Sequence, residues 1–150
     1  MDLPWPAGLS RDAGVREFAK RHLKTEQSHL DKINAVLAWP QRSRLLPGWR
    51  VAGFATGALP ALFGPRAVYA TIAAVETFVD QHYQHQIDKL QNQPEHATLL
   101  ALLRECQQDE CEHRDEEIAL QGRPPGWLLR AWCKLVGSGS SAAVKLARCI

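Results

Sequence analysis

The chain has 150 residues, of which 45% are hydrophobic and 23% charged, and its formal net charge is +2. This length predicts a single domain over residues 1–150 with a hydrophobic core. The small net charge, without basic runs interleaved with aromatic residues, excludes nucleic-acid binding. Because none of the four cysteines forms a Cys-x-x-Cys pair, we expect reduced thiols rather than a disulfide framework: Cys106, Cys111, Cys133 and Cys149. The N-terminal residues lack a basic stretch followed by an apolar one, so we expect no secretion signal.

Helical periodicity and the spacing of Pro and Gly predict an all-α protein with three long helices. Ser10 or Asp12 would cap the first helix, and Pro40 would follow its end. The predicted ranges are Ser10–Ala38, Arg66–Gln91 and Pro94–Gly122.

The remaining segments are shorter. The connector between Pro40 and Pro65 is rich in Pro and Gly and predicts one short helix. After Pro124-Pro125-Gly126, the run GWLLRAWCKLV predicts a short amphipathic helix. Residues 137–141, GSGSS, predict a flexible joint before a final basic helix, AAVKLARC.

The segment from Val51 to Ala74 is long and mostly apolar, but Pro60, Pro65 and Arg66 interrupt it. A membrane-spanning helix needs about 20 predominantly apolar residues. Two alternatives therefore stay open: a turn-rich segment that lies on a membrane surface, or a buried helix–loop–helix connection.

Two Glu-x-x-His pairs stand on otherwise apolar helix faces: Glu26 with His29, and Glu110 with His113. The Glu26 face collects Val15, Phe18, Ala19, His22, Leu30, Ile33 and Leu37, and the Glu110 face collects Leu99, Leu102, Leu103 and Cys106. Glu76 stands at the centre of a third stripe, formed by Tyr69, Ile72, Ala73, Val79, Tyr83, Ile87 and Leu90.

Three carboxylates on apolar faces would be expensive to bury without protons or a counter-ion. Together with two imidazoles, they predict a cation site in the bundle core. Two Glu-x-x-His helices with further Glu residues are the ligand pattern of ferritin-like di-iron carboxylate bundles. Carboxylate and imidazole ligands suit iron or manganese. The alternative is that the histidines are ordinary core or surface residues and the carboxylates are solvated.

Other residues near these pairs have weaker signals. Asp109 is either a hydrogen-bond partner of a ligand imidazole or a solvated acid. His22 shares the Glu26 face but lies a turn from the pair, and we do not expect it to bind metal. Nor do we expect ligands in His82, His85 and His96.

Several runs resemble the demethoxyubiquinone hydroxylase (5-demethoxyubiquinone monooxygenase) family of coenzyme Q biosynthesis: TEQSHLDKINAVL, WRVAGFATGALPALFG, VYATIAAVETFVDQHYQHQIDKL and ECQQDECEHRDEEIAL. The resemblance extends from about Gly14 to the C-terminus. It implies a ferritin-like di-iron helical bundle on a membrane surface, at the cytoplasmic face of a bacterial inner membrane or at the mitochondrial inner membrane. The implied reaction hydroxylates a prenylated quinone with dioxygen and reducing equivalents associated with NADH.

Carried over by motif, the resemblance implies five metal ligands: Glu26, His29, Glu76, Glu110 and His113. The His-Tyr pair after the central Glu corresponds to His82 and Tyr83, which it implies near the quinone or the electron path.

The family has an earlier helix that supplies a sixth ligand, and this sequence has no counterpart, so we expect an N-terminally shortened bundle. Glu17 would face away from the site, and Glu117 would lie about 10 Å along the helix from Glu110. The open explanations are a gene start placed too late or a truncated gene, a second subunit that supplies the helix, or a paralogue that has lost full di-iron chemistry. An uncovered side of the bundle predicts a homodimer, another ubiquinone-biosynthesis protein or a membrane against it.

Three functions follow as hypotheses. The first is a di-iron monooxygenase whose dry site is walled by Ile72, Val79, Leu102 and Leu103. The prenyl tail would enter beside the Val51–Ala74 segment and the C-terminal helices. There Trp127, Leu128, Leu129, Arg130, Trp132 and Lys134 form either an interfacial stripe or an ordinary packing face. The second is a non-catalytic quinone- or lipid-binding or assembly protein, and the third is a ferritin-like metal store.

Overall fold

The structure is a computed structural model that describes residues 10–36 and 46–147. Within these ranges the chain is almost wholly helical and contains no β-strand. The helices are α1 (Ala13–Val36), α2 (Leu46–Ala61), α3 (Pro65–Leu90), α4 (Ala97–Gln121) and α5 (Trp127–Ala147). The all-α prediction is therefore confirmed for the described residues. The single-domain prediction for residues 1–150 stays a prediction.

The three long helices begin and end close to their predicted bounds. Asp12 caps α1, because its carboxylate accepts a 3.0 Å hydrogen bond from the backbone N–H of Val15. A short 3₁₀ turn, Pro94–His96, precedes α4, which the sequence had predicted to begin at Pro94. Gly122 ends α4 with φ of 71°, the left-handed conformation that glycine adopts most readily. Ala38, Pro40 and Leu37 lie outside the described residues.

The C-terminal prediction was wrong. Residues 127–147 form one continuous helix, without the flexible joint expected at residues 137–141. Gly and Ser are poor helix formers, and contacts nearer the start of α5 hold this helix against α3. Trp132 Nε1 donates a 2.8 Å hydrogen bond to Thr71 Oγ1, and Cys133 Sγ lies 3.2 Å from the Ala70 carbonyl oxygen. Packing therefore overrides the local preference.

Two glycines provide a matched test of these assignments. Gly122→Ala should lower the free energy of unfolding by about 1 kcal/mol, because alanine is strained at positive φ. Gly137→Ala should raise it by up to about 1 kcal/mol, because a Cβ there meets nothing within 4 Å and alanine favours a helix. Urea denaturation measures both. A destabilising Gly137→Ala would contradict the continuous α5.

Helices α1, α3 and α4 enclose the predicted functional core. Ion pairs join Arg21 to Glu116 and Lys32 to Glu105, so α1 and α4 run in opposite directions. Helix α3 packs against α4 through one hydrophobic cluster and against α1 through another. The α3–α4 cluster contains Tyr83, Ile87, Leu103 and Cys106; the α1–α3 cluster contains Val15, Phe18, Val68, Tyr69 and Ile72.

The predicted apolar faces are largely buried. On α1, Val15, Phe18 and Ala19 are buried, and Ile33 is half-buried. Leu30 was predicted on the same face, but its exposed fraction is 39%. It lies at the edge of the contact, where α1 has no described neighbour to cover it.

The apolar Val51–Ala74 segment divides into two parts. Its second part, residues 67–73, is buried in the core. Its first part is largely exposed, with Leu62 and Phe63 at 79% and 80%. The buried alternative therefore holds for the second part, and the membrane-surface alternative stays a prediction for the first. None of the described helices is long and apolar enough to cross a bilayer.

Among the described residues Cys106, Cys111 and Cys133 are free thiols, and Cys149 lies outside them. Cys106 is fully buried beside Tyr83.

Candidate metal centre

Four predicted ligands from three helices meet at one point in the bundle core. One ligand atom from each of Glu26, Glu76, Glu110 and His113 lies within 4.8 Å of the others. Helix α1 contributes Glu26, α3 contributes Glu76, and α4 contributes Glu110 and His113. Such close carboxylates repel each other unless protons or a cation neutralise them.

The donor atoms in this group are available for a ligand. Glu26 Oε1, Glu110 Oε2 and His113 Nδ1 are buried and have no hydrogen-bond partner among the described residues. Buried polar atoms in folded proteins are nearly always hydrogen-bonded, so three such atoms in one cluster require an explanation. A cation that accepts their lone pairs provides one, and the donor set therefore fits a metal.

The imidazole of His29 borders this group. Its Nδ1 lies 3.2 Å from Glu110 Oε1, and its Nε2 lies 2.8 Å from Asp109 Oδ2. The predicted contact between Asp109 and a candidate ligand imidazole is present. Because Asp109 engages Nε2, the buried Nδ1 is the atom left to face a metal.

We predict that Asp109→Asn weakens metal binding by about tenfold, because the neutral amide no longer fixes and polarises the His29 ring. Co²⁺ titration followed by visible absorption measures the affinity. Asp115→Asn is the matched control, because Asp115 is an exposed residue of the same helix that contacts Arg114. Equal losses in both variants would contradict the assigned role.

Burial and mutual repulsion set the protonation of the metal-free centre. Burial, with the nearby Glu110, raises the pKa of Glu26 to about 7 and that of Glu76 to about 12. The close approach of the Glu110 carboxylate raises the pKa of His29 to about 9, against the opposing effect of burial. Burial pushes the pKa of Glu110 up, but contacts with His29 and Glu76 outweigh it and leave that pKa lowered. Without metal, protons therefore occupy the site.

The sequence reasoning underrated two buried residues. His22 was not expected to bind metal, yet one of its ring nitrogens lies within 4.8 Å of ligand atoms of Glu76 and His113. Its ring centroid is 3.9 Å from that of His113. Glu117 is completely buried and faces His22 at 3.5 Å. The signal was helical phase: His22 lies one turn before Glu26, and Glu117 one turn after His113.

His82 and Tyr83 are adjacent in sequence but point to different sides of α3. Tyr83 is buried on the α4 side of α3, in a cluster with Cys106. His82 instead lines a cavity of about 650 Å³ between α3 and α5, and stacks on Phe78 with ring centroids 5.9 Å apart. Successive helical residues point about 100° apart, which explains why the two side chains have different surroundings.

The remaining residues named from the sequence are either exposed or form apolar walls. Glu17 and His96 are exposed, and His85 is an exposed residue at the rim of the α3–α5 cavity. Of the predicted walls, Ile72 and Leu103 are buried, whereas Val79 and Leu102 are half-buried. Apolar side chains thus surround the carboxylates on the α3 and α4 sides.

A family description, ubiquinone biosynthesis protein COQ7, matches residues 6–147. The chain belongs to this family. The ferritin-like di-iron bundle predicted from the sequence is the fold of the family, and the ubiquinone-biosynthesis resemblance is confirmed.

Three relatives are 35% to 39% identical to the chain over the aligned residues. It is 35% identical over 127 residues to the NADPH-dependent 3-demethoxyubiquinone 3-hydroxylase, mitochondrial, of Rattus norvegicus, which covers 81% of this chain and 57% of the rat protein. It is 39% identical over 112 residues to the 3-demethoxyubiquinol 3-hydroxylase of Rhodospirillum rubrum, covering 73% and 51%. It is 35% identical over 114 residues to the 5-demethoxyubiquinone hydroxylase, mitochondrial, of Saccharomyces cerevisiae, and the alignment covers 65% of this chain and 49% of the yeast protein. The chain thus spans about half the length of these relatives.

Proposed function

We propose that the protein is a di-iron monooxygenase that hydroxylates the ring of a demethoxyubiquinone-type prenylated quinone. The observation that carries this proposal is the buried group of Glu26, Glu76, Glu110 and His113, with donor atoms that lack other partners. The names of the relatives, all hydroxylases of this substrate class, support it.

Two iron ions would be held by Glu26, His29, Glu76, Glu110 and His113. When bound, iron supplies the activation of dioxygen. Oxygen and nitrogen donors of this kind suit iron or manganese. Neither Cys106, which interacts with Tyr83, nor Cys111, which interacts with Asp80, belongs to the ligand cluster.

The chain's own side chains would keep the reaction dry and its protons in place. Phe18 and Ile72 close the α1–α3 side, and Leu103 closes the α4 side. Burial raises the pKa of Tyr83, so its hydroxyl keeps its proton at neutral pH. We assign Tyr83 as a positioning residue beside the site, and we withdraw His82 from it because that residue lies on the other face of α3.

The source of electrons remains part of the proposal. The sequence resemblance implied NADH, whereas the mitochondrial relatives are named NADPH-dependent. An assay should therefore supply each nicotinamide in turn.

We infer that one end of the bundle lies on a membrane surface, where the prenyl tail of the substrate is dissolved. Leu62, Phe63, Trp127 and Leu128 are largely exposed apolar residues. Arg66 donates hydrogen bonds to the carbonyl oxygens of Arg123 and Pro124, which brings the start of α3 beside the start of α5. We treat these four exposed apolar side chains as one patch, the α3/α5 patch.

The α3/α5 patch suits delivery of a lipid substrate. Glu76 lies 11 residues into α3, which places the metal centre about 16 Å along the helix from the patch. Exposed aromatic and aliphatic residues with Arg130 and Lys134 on α5 match an interfacial surface. The same proposal includes peripheral attachment, at the cytoplasmic face of a bacterial inner membrane or at the mitochondrial inner membrane. It also includes a partner, either a second copy of the chain or another ubiquinone-biosynthesis protein.

We predict that Leu62→Ser combined with Phe63→Ser lowers vesicle binding at least tenfold, because each apolar side chain contributes about 1.5–3 kcal/mol when it leaves water. Co-sedimentation with phosphatidylcholine–phosphatidylglycerol vesicles measures it. Ile118→Ser is the control, because Ile118 is 55% exposed on α4 and is not part of the α3/α5 patch. Equal loss in the control would contradict a specific patch.

The function is tested with iron-loaded protein, a demethoxyubiquinone analogue, ¹⁸O₂, a reductase system and NADH or NADPH. We expect one ¹⁸O atom in the hydroxylated quinone, and no product from Glu110→Gln. Glu112→Gln should remain active, because Glu112 is exposed and accepts a hydrogen bond from Gln108 on the surface of α4. Tight quinone binding without iron or oxygen consumption would instead support a non-catalytic carrier. Iron uptake without quinone turnover would support a metal store.

A further inference from the structure

Beside the predicted ligands lies a second set of buried donors that the five-residue assignment leaves unused. Glu117 is fully buried, and neither of its carboxylate oxygens has a hydrogen-bond partner among the described residues. His22 is 3% exposed, and its Nε2 likewise has no hydrogen-bond partner there. Two such groups facing each other in a protein core would be costly if they had only a structural role.

The two residues continue the geometry of the metal centre. His22, Glu76 and His113 each offer a ligand atom within 4.8 Å of the others. Glu76 and His113 also belong to the four-residue group, so the two groups of ligand atoms adjoin each other through these two residues. His22 Nδ1 lies 3.5 Å from Glu117 Oε1, whereas its Nε2 lies 3.9 Å from Glu116 Oε2 at the rim.

This arrangement repeats the one at His29. On α1, His22 and His29 are two turns apart, and each faces a carboxylate of α4: Glu117 and Asp109. Because α1 and α4 are antiparallel, the earlier histidine meets the later acid. A carboxylate that accepts the proton of one ring nitrogen orients the other nitrogen towards a metal and makes it a better donor.

We propose that His22 is a further metal ligand in this chain and that Glu117 positions it, so that His22, Glu76 and His113 hold one of two divalent cations. In this arrangement His22 Nδ1–H donates to Glu117, and Nε2 binds the ion. Glu26, Glu110 and His29 hold the other ion, with Glu76 and His113 at the boundary between the two. The inference rests on the proposed function, since it assumes that the centre binds metal.

The test is stoichiometric binding of Co²⁺ to the metal-free full chain, followed by visible absorption and by elemental analysis after desalting. We expect two ions per chain for the unchanged protein and one for His22→Phe, whose ring can pack beside Phe18. Glu117→Gln should keep two sites but weaken one by about 10- to 100-fold. Glu112→Gln, an exposed change on the same helix, should alter neither site.

A stability measurement separates this role from a structural one. Replacing unpartnered buried groups should leave the metal-free thermal midpoint unchanged or raise it, whereas removing a structural pair would lower it. Two ions retained by His22→Phe, together with unchanged affinity at both sites of Glu117→Gln, would overturn the inference and leave the proposed function intact. The unchanged protein binding a single ion would also overturn it. No bound ion at all would overturn the proposed function itself.

Discussion

Glu76→Gln should abolish stable metal binding at the centre, with a loss of affinity of at least about 100-fold and no detectable hydroxylation. Glu76 belongs to both ligand groups, so its loss removes a donor from each. The amide resembles the protonated carboxyl that burial favours, because the pKa of Glu76 is raised to about 12 in the metal-free site. The variant should therefore fold as well as the original or better. Iron per chain and Co²⁺ titration measure the binding.

The control for this variant is Asp88→Asn on the same helix. Asp88 is exposed and accepts a 2.8 Å hydrogen bond from Gln84, far from the centre. It should keep full metal content. Retention of both ions by Glu76→Gln, with the control behaving normally, would refute the central position assigned to Glu76.

The metal-free protein should lose stability as the pH rises from 6.5 to 8.5. Burial first, and repulsion from Glu110 second, raises the pKa of Glu117 to about 9, and the contact with Glu110 raises the pKa of His29 to about 9. Glu76 also stays protonated when folded. A group whose folded pKa is raised stabilises the fold fully below its unfolded pKa and loses this contribution as the pH approaches its folded pKa. In this window the folded state holds more protons than the unfolded state, so stability falls.

Each such proton contributes about 1 kcal/mol per pH unit, so the effect should reach several kcal/mol over the window. His22 and His113 oppose it only near the lower end of the window, because burial keeps both neutral in the fold whereas an unfolded imidazole, with an ordinary pKa of about 6.5, is half-protonated at pH 6.5. Bound divalent metal should reverse the trend, since the ligands then release their protons. Urea titrations at both pH values, with and without Co²⁺, measure this. A metal-free protein equally stable at both would contradict the predicted protonation.

The sequence predicted the helices and the main candidate ligands because both depend on local periodicity. Glu26, Glu76 and Glu110 interrupt apolar stripes, and a stripe defines which way a helical side chain points. The contact of Asp109 with His29 was predictable as one of two alternatives. The sequence could not choose between them, because the choice depends on how α1 is aligned against α4.

Tertiary contacts decide what the sequence could not. His22 and Glu117 were judged by their distance along their own helices, and the structure brings them together because α1 and α4 are antiparallel. His82 and Tyr83 were paired through the family resemblance, whereas the helix places them on different faces. The run from Gly137 to Ser141 was read from composition alone, whereas the contacts of Trp132 and Cys133 with α3 support the helix that continues through it.

The way in which α1 is attached has a consequence for the whole molecule. Its surface links to α4, Arg21 with Glu116 and Lys32 with Glu105, are solvent-exposed ion pairs, which stabilise a fold only weakly and less so in salt. The same helix brings Glu26 and His29, and by our inference His22, to the ions. Bound metal would then act as a cross-link between α1 and the α3–α4 pair. Amide exchange along α1 would consequently report metal occupancy, and chelation would loosen this helix before the rest of the bundle.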